Sequence, residues 1–313
     1  MKRFARCLPS LAGMVLLSGC VYVGDFGPSD AYKKDFHSTH PMDAGGRVSV
    51  ESFNGSIEVV GWDQNSVEVN GTKYASHKDL LDDIKIDVDA TSGSVHVRAV
   101  RPSDVFRNCG VRFSIRVPRK AVLDLISTSN GKLDVNDVEG NARLRTSNGG
   151  IRLVRIKGDV EAHTSNGSIE AEDVTGSANF HTSNGSIRAE TSRGGFEAST
   201  SNGRIVARLK DPETTWPVRA RSSNGHIELT LDARQLPDVH VSTSNSSILL
   251  RLPAEVNARV RAHSSRHFQV SSDFDELRSD RDRGRGDLEG TIGRGGSLVD
   301  LETSNGSIKI TKL

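Results

Sequence analysis

From Asn130 onward, short runs of alternating apolar and polar residues recur at a fixed interval. Asn130, Asn148, Asn166, Asn184 and Asn202 stand 18 residues apart, each inside Thr-Ser-Asn-Gly. Two residues after each glycine come Leu133, Ile151, Ile169, Ile187 and Ile205, and two further on Val135, Leu153, Ala171, Ala189 and Ala207. Apolar positions with a period of two predict half-buried β-strands. A second run follows in each unit, with apolar pairs Ala142 and Leu144, Val160 and Ala162, Ala178 and Phe180, Phe196 and Ala198. Gly140, Gly158, Gly176 and Gly194 separate the two runs. One unit therefore predicts two short strands and two corners.

A propeller blade needs four strands and about 40 residues, so these units are too short for one. They fit one coil of a solenoid whose coils stack about 4.8 Å apart. The series continues with Asn224, Asn245 and Asn305, at intervals that loosen first to 22 and then to 21 residues. Phe-Asn-Gly-Ser-Ile at Asn54 and Thr-Ser-Gly-Ser-Val at Ser92 are degenerate copies. The predicted fold is an all-β, single-stranded β-solenoid (β-helix) with about 18–22 residues per coil. A dozen coils would make a rod about 55–60 Å long.

Strict alternation also orients the signature. With Leu144 and Phe180 facing inward, Thr146 and Thr182 face inward, and so do Asn148 and Asn184. This predicts an internal ladder of Asn130, Asn148, Asn166, Asn184, Asn202, Asn224, Asn245 and Asn305, stacked as in cross-β structures. The glycine then turns the corner in a backbone conformation that other residues resist. On the outside, Asp134, Arg152, Glu170 and Arg188 alternate in sign from coil to coil, a pattern that stabilises a solvated sheet face.

Two stretches interrupt the pattern. Residues 211–216 predict a bulge at a corner. Residues 273–296, rich in Arg, Asp and Gly, predict a mobile charged loop. The last coil, Thr303 to Thr311, would lie at the free end of the rod, guarded by this loop or by Lys309 and Lys312.

The beginning of the chain reads differently. Lys2, Arg3 and Arg6 precede an apolar stretch, Leu8 to Leu17, that is too short for the roughly 20 residues of a bilayer span. It ends Leu17-Ser18-Gly19-Cys20, which resembles the lipobox of bacterial lipoproteins. The division expected is a lipoprotein signal peptide over 1–19, a lipidated N-terminus and tether over 20–45, and the solenoid over 46–313. Cys20 is the expected lipidation site. Val21 after it, rather than Asp, matches the sorting rule for the outer membrane of a Gram-negative envelope.

Composition sharpens this picture. Aromatic residues are 5% and hydrophobic residues 35%, with 30 glycines; this suits a thin, regular β architecture rather than one thick core. Without Lys2, Arg3 and Arg6, the 41 basic residues fall to 38, against 40 acids. That balance gives no electrostatic footprint for nucleic acid. The three cysteines, Cys7, Cys20 and Cys109, support neither a disulfide framework nor a cysteine zinc site, and Cys109 reads as a buried apolar residue.

The repeat, together with Gly46-Arg47-Val48-Ser49-Val50, Asn54-Gly55-Ser56-Ile57 and Val117-Pro118-Arg119-Lys120-Ala121, resembles a bacterial, adhesin-type family of β-strand-repeat domains of unknown function. The resemblance covers roughly residues 35–313. It implies a β-helix in the cell envelope and brings no catalytic residues with it.

Function is less legible than fold. The expectation is a non-enzymatic protein anchored in a membrane by its lipid, acting as a scaffold or an adhesin-like surface for an envelope protein or glycan. The alternative is a polysaccharide lyase or hydrolase, which needs carboxylates converging on one groove; Asp173 and Glu190 fall in different columns. His163 and His181 lie one repeat apart and stack outward, but two histidines without a third ligand make a weak metal site. No metal site and no cofactor are expected. Arg285-Gly286-Asp287 matches a cell-attachment tripeptide that such a loop yields readily by chance. An ice-binding surface is disfavoured because the Thr column points inward.

Overall fold

The computed structural model describes residues 31–101, 109–265, 268–277 and 286–313. The expected signal peptide, Cys20, the first part of the expected tether and Ser279–Arg285 lie outside the described residues.

The described residues form two 13-stranded sheets, A and B, laid face to face. It opens with β1 (Tyr32–Pro41), β2 (Arg47–Glu51), β3 (Ile57–Trp62) and β4 (Ser66–Ala75), then a short helix α1 (Asp79–Asp83), then β5 (Lys85–Ala90), β6 (Ser94–Val100) and β7 (Cys109–Pro118). The regular coils follow as β8 (Val122–Thr128), β9 (Leu133–Val138), β10 (Ala142–Thr146), β11 (Ile151–Lys157), β12 (Val160–Thr164), β13 (Ile169–Thr175), β14 (Ala178–Thr182), β15 (Ile187–Ser192), β16 (Phe196–Thr200), β17 (Ile205–Lys210), β18 (Val218–Ser222), β19 (Ile227–Asp232), β20 (Val239–Thr243) and β21 (Ile248–Leu252). The chain ends with β22 (Ala258–His263), β23 (Val270–Ser272), β24 (Asp287–Ile292), β25 (Ser297–Thr303) and β26 (Ile308–Lys312).

From β8 to β21 each coil places one strand in sheet B and the next in sheet A, and successive coils pair in parallel. The fold is an all-β solenoid. In each sheet, thirteen strands less the two antiparallel ones (β1 and β4 in A, β5 and β24 in B) leave eleven parallel strands.

The two ends break sequence order. Coil β2–β3 is enclosed between coil β6–β7, which lies outside it, and coil β8–β9. At the other end, coil β25–β26 slots between β20–β21 and β22–β23. The last coil is therefore not at the free end, and Lys309 and Lys312 do not guard it. Antiparallel strands β1, β5 and β24 form three of the four sheet edges, and the fourth is the three-residue parallel strand β23, a short edge that offers little for another chain to pair with.

Two sequence expectations change. The tether does not extend through Pro41: β1 is a ten-residue strand paired along its whole length with β4. Nor is 273–296 a loop throughout, since β24 pairs antiparallel with β22, and Phe274 and Leu277 are buried. Charge and glycine content hid the short alternation of Leu288 and Ile292.

The core is a set of stacked columns. Ile57, Leu133, Ile151, Ile169, Ile187, Ile205, Ile227, Ile248 and Ile308 are all essentially inaccessible and sit in register on adjacent strands. Burying each contributes about 1.5–3 kcal/mol. Bulk is balanced along sheet B: Phe180 lies in register between Ala162 and Ala198, and meets Phe196 edge to face at 6.1 Å. Alternation of large and small residues lets two phenyl rings enter a body only two sheets thick.

A third inward column, Val138, Ile156 and Val174, breaks strict alternation. Each lies just beyond a residue with positive φ: Asp137 (φ 61°), Arg155 (φ 54°) and Asp173 (φ 54°). That left-handed residue shifts the phase of the strand by one, so the next apolar side chain still faces inward. It also bends the chain toward the corner.

Candidate binding surface

The Thr-Ser-Asn-Gly signature divides its work among its members. The threonines are buried. Thr164 Oγ1 donates to the Gly149 carbonyl of the preceding coil at 2.9 Å and accepts from Gly167 N–H of its own turn at 3.2 Å. Thr182 and Thr200 repeat both contacts. Among the described residues, no buried side-chain polar atom lacks a partner.

The asparagines form a ladder in which each Nδ2 donates to the Oδ1 of the coil before. Asn148 donates to Asn130 at 2.6 Å, and Asn166 to Asn148, Asn184 to Asn166 and Asn202 to Asn184 at 2.7 Å each. Asn224 donates to Asn202 and Asn245 to Asn224 at 2.8 Å, and Asn305 to Asn245 at 3.0 Å. Asn130 in turn donates to Asn54 at 2.6 Å, although 76 residues separate them. The amides point the same way along the rod, so each bond polarises the next.

This ladder runs on the outside of the rod, not inside it. Every asparagine from Asn130 to Asn305 in the series is exposed. The expected inward direction failed because β-alternation stops at the threonine: the strand ends there and Ser-Asn-Gly is a bend. The glycine is also explained differently. Gly149, Gly167, Gly185 and Gly203 do not have positive φ. They are required by close approach, since a Cβ on Gly185 would lie 1.8 Å from the Gly167 carbonyl oxygen. Positive φ belongs to the other corner, at Gly158, Gly176 and Gly194.

Replacing Asn184 by Ala removes one donated and one accepted amide bond. At about 0.5–1.5 kcal/mol per bond, the expected loss is about 1–3 kcal/mol, read as an earlier midpoint in a urea melt.

Charged side chains follow the same axial logic. Arg155 grips Asp137 with two bonds, of 2.7 and 2.8 Å, and Arg119 binds Asp63 at 2.6 Å. The Arg155 guanidinium holds the Asp137 carboxyl below the usual carboxylate range. Lys157 meets Glu139 and Arg143 meets Glu161, each at 2.9 Å. Asp137, Arg155 and Asp173 are 18 residues apart, so this column was readable from the repeat and was missed.

His163 and His181 stack with ring centres 4.6 Å apart, and His181 Nδ1 lies 2.6 Å from Ser199 Oγ. Burial, then His181 and Arg145, push His163 toward its neutral form. Among the described residues, no group of three or more His, Cys, Asp and Glu side chains is placed to hold a metal ion. Cys109 is buried, and burial raises its thiol.

Sheet B carries an open groove of about 640 Å³ beside the glycine corner, running from Arg47 on β2 to Arg219 on β18. Its corner side is a second axial ladder. Asp159 N–H donates to Asn141 Oδ1 and Ser177 N–H to Asp159 Oδ1, both at 2.9 Å, and Gly195 N–H to Ser177 Oγ at 3.4 Å. At Gly195 the side chain disappears. Trp216, from the bulge expected at 211–216, fills that place: a Cβ on Gly195 would lie 3.0 Å from Trp216 Cβ. Trp216 is 58% exposed. The other tryptophan, Trp62, donates to the Ser66 carbonyl and lies beneath Arg116.

The repeat, the two sheets and the axial ladders agree with a match to one protein family, whose profile covers residues 46–311. The chain belongs to the Toastrack family, DUF4097. No curated protein matches this Toastrack chain. Solved structures of similar fold include a candidate adhesin from Parabacteroides distasonis ATCC 8503, 10% identical, covering 92% of this chain and 98% of that one with a TM-score of 0.46. A candidate adhesin from Bacteroides fragilis NCTC 9343 is 12% identical over 90% of this chain and 97% of that one, with a TM-score of 0.38. A candidate lipid binding protein from Parabacteroides distasonis ATCC 8503 is 12% identical over 91% and 98%, with a TM-score of 0.34. At this level of likeness none of them carries weight on what the Toastrack chain binds.

Proposed function

We propose that this protein is a non-enzymatic component of the bacterial cell envelope, held to a membrane by a lipid on Cys20 and acting as a scaffold and adhesin-like binding surface. The observation that carries this reading is the axial pairing of the outward side chains. Carboxylates such as Asp137, Glu139 and Glu161 are each engaged by a cation on a neighbouring coil, and Asp159 is engaged by a backbone N–H. Groups used in this way stiffen a rod and leave a regular, hydrogen-bonding exterior. Solenoids use such extended faces to bind polymers and proteins.

The Leu-Ser-Gly-Cys sequence supports the anchor, and Val21 favours the outer membrane. Among the described residues no helix is long and apolar enough to cross a membrane.

Fractionation of cells carrying wild type or Cys20→Ala tests the anchor. The wild type is expected in the membrane pellet and the variant in the soluble fraction; equal distribution would sink the anchor. Release of reducing ends from a polysaccharide panel by purified wild type would overturn the non-enzymatic assignment.

A further inference from the structure

We infer that the sheet B groove is a binding site for an extended, uncharged glycan, with Trp216 as its stacking platform. This deepens the binding-surface reading and rests on it. The first argument is charge. Arg47, Arg143 and Arg219 stand against Asp124, Asp159, Glu161 and Glu197, three cations to four carboxylates. A near-balanced lining offers no field for a polyanion such as nucleic acid or a sulfated sugar.

The second argument is the kind of contact available. Planar amide, carboxylate and guanidinium groups line the groove and supply donors and acceptors side by side. Sugar hydroxyls are both donors and acceptors, and one face of a pyranose ring presents C–H groups suited to an indole. Trp216 gives that apolar plate and lies open to solvent at one end. Trp is enriched among binding hot spots.

The third argument excludes a peptide added as a β-strand. A peptide binds a sheet by adding a strand to a free edge. Every strand beneath the groove, from β2 to β18, is already paired on both sides.

Geometry then sets the direction of the ligand. The groove runs along the solenoid axis, across seven neighbouring strands. Successive coils offer equivalent positions about 4.8 Å apart. An extended chain of pyranose rings advances by close to that distance per ring, so consecutive rings meet consecutive coils.

The test is calorimetric titration of the full chain, in detergent micelles, with neutral cello- and chito-oligosaccharides of increasing length, and with heparin as the polyanion. Affinity is expected to rise with oligosaccharide length. Trp216→Ala is expected to weaken it at least about tenfold with an unchanged melting temperature, and Trp216→Phe to retain most of it. Lack of binding by every neutral oligosaccharide, binding by heparin alone, or undiminished binding by Trp216→Ala would each overturn the site. Fractionation reports separately on the anchor. A soluble protein that binds neutral sugar sinks the anchor and leaves the groove; a membrane-bound protein that binds none sinks the groove and leaves the scaffold.

Discussion

Ile187→Asp is expected to unfold the coils around β15, whereas Glu170→Ala, on the neighbouring strand, changes stability by no more than about 0.5 kcal/mol. Ile187 is 1% exposed and pairs in register with Ile169 and Ile205. Substitution removes about 1.5–3 kcal/mol of burial and places a carboxylate between Ile169 and Ile205 in the core column. An unpaired buried charge adds several kcal/mol, so the total exceeds about 5 kcal/mol, an exceptional single-residue loss. A solenoid transmits the damage to the adjoining coils, because each coil is stable only against its neighbours. Glu170 is exposed and faces Arg152 and Arg188 in register, and exposed pairs of this kind contribute little. Thermal melting of the two variants decides the matter; equal melting temperatures would refute the core assignment.

The second large effect is expected from Gly185→Ala. The added Cβ would lie 1.8 Å from the Gly167 oxygen and 2.4 Å from its carbon. Both are backbone atoms, so no rotamer relieves the clash. The coils would have to separate at this corner, stretching the Asn184–Asn166 bond and the Thr182 bond to the Gly167 carbonyl. The expected cost is more than about 3 kcal/mol, above ordinary overpacking of a side-chain core. Gly93→Ala is the control, since nothing lies within 4 Å of its Cβ position, and it is expected to melt like wild type. A Gly185→Ala protein that melted like wild type would show that coil spacing at the corner is adjustable.

The solenoid was legible because its two periods are both local signals. Period two within a run marks a strand, and period 18 marks the coil, so the inward Ile and Ala columns followed directly. Three features were not legible, each for a physical reason. The direction of the asparagines depends on where the strand ends, and alternation carries no information past a bend. The role of the signature glycine depends on the neighbouring coil, 18 residues away, rather than on local backbone preference. The out-of-order ends depend on pairings such as Asn130 with Asn54 and Asn305 with Asn245, which a repeat count cannot rank. The groove was missed for a related reason: Trp216 read as part of a bulge, and only three-dimensional placement set it over Gly195.

The out-of-order coils have a consequence for how such a protein can diversify. Both ends of the described solenoid are interlocked pieces, so neither end tolerates a simple addition or loss of a coil. The run from β10 to β19 carries no such constraint, because each coil there meets only its sequence neighbours. Tandem duplication of one 18-residue unit in that run would extend the rod by about 4.8 Å and leave both end pieces untouched. The molecule is thus a ruler with fixed ends and copyable graduations, on which the length of the rod and the length of the sheet B groove are inherited together.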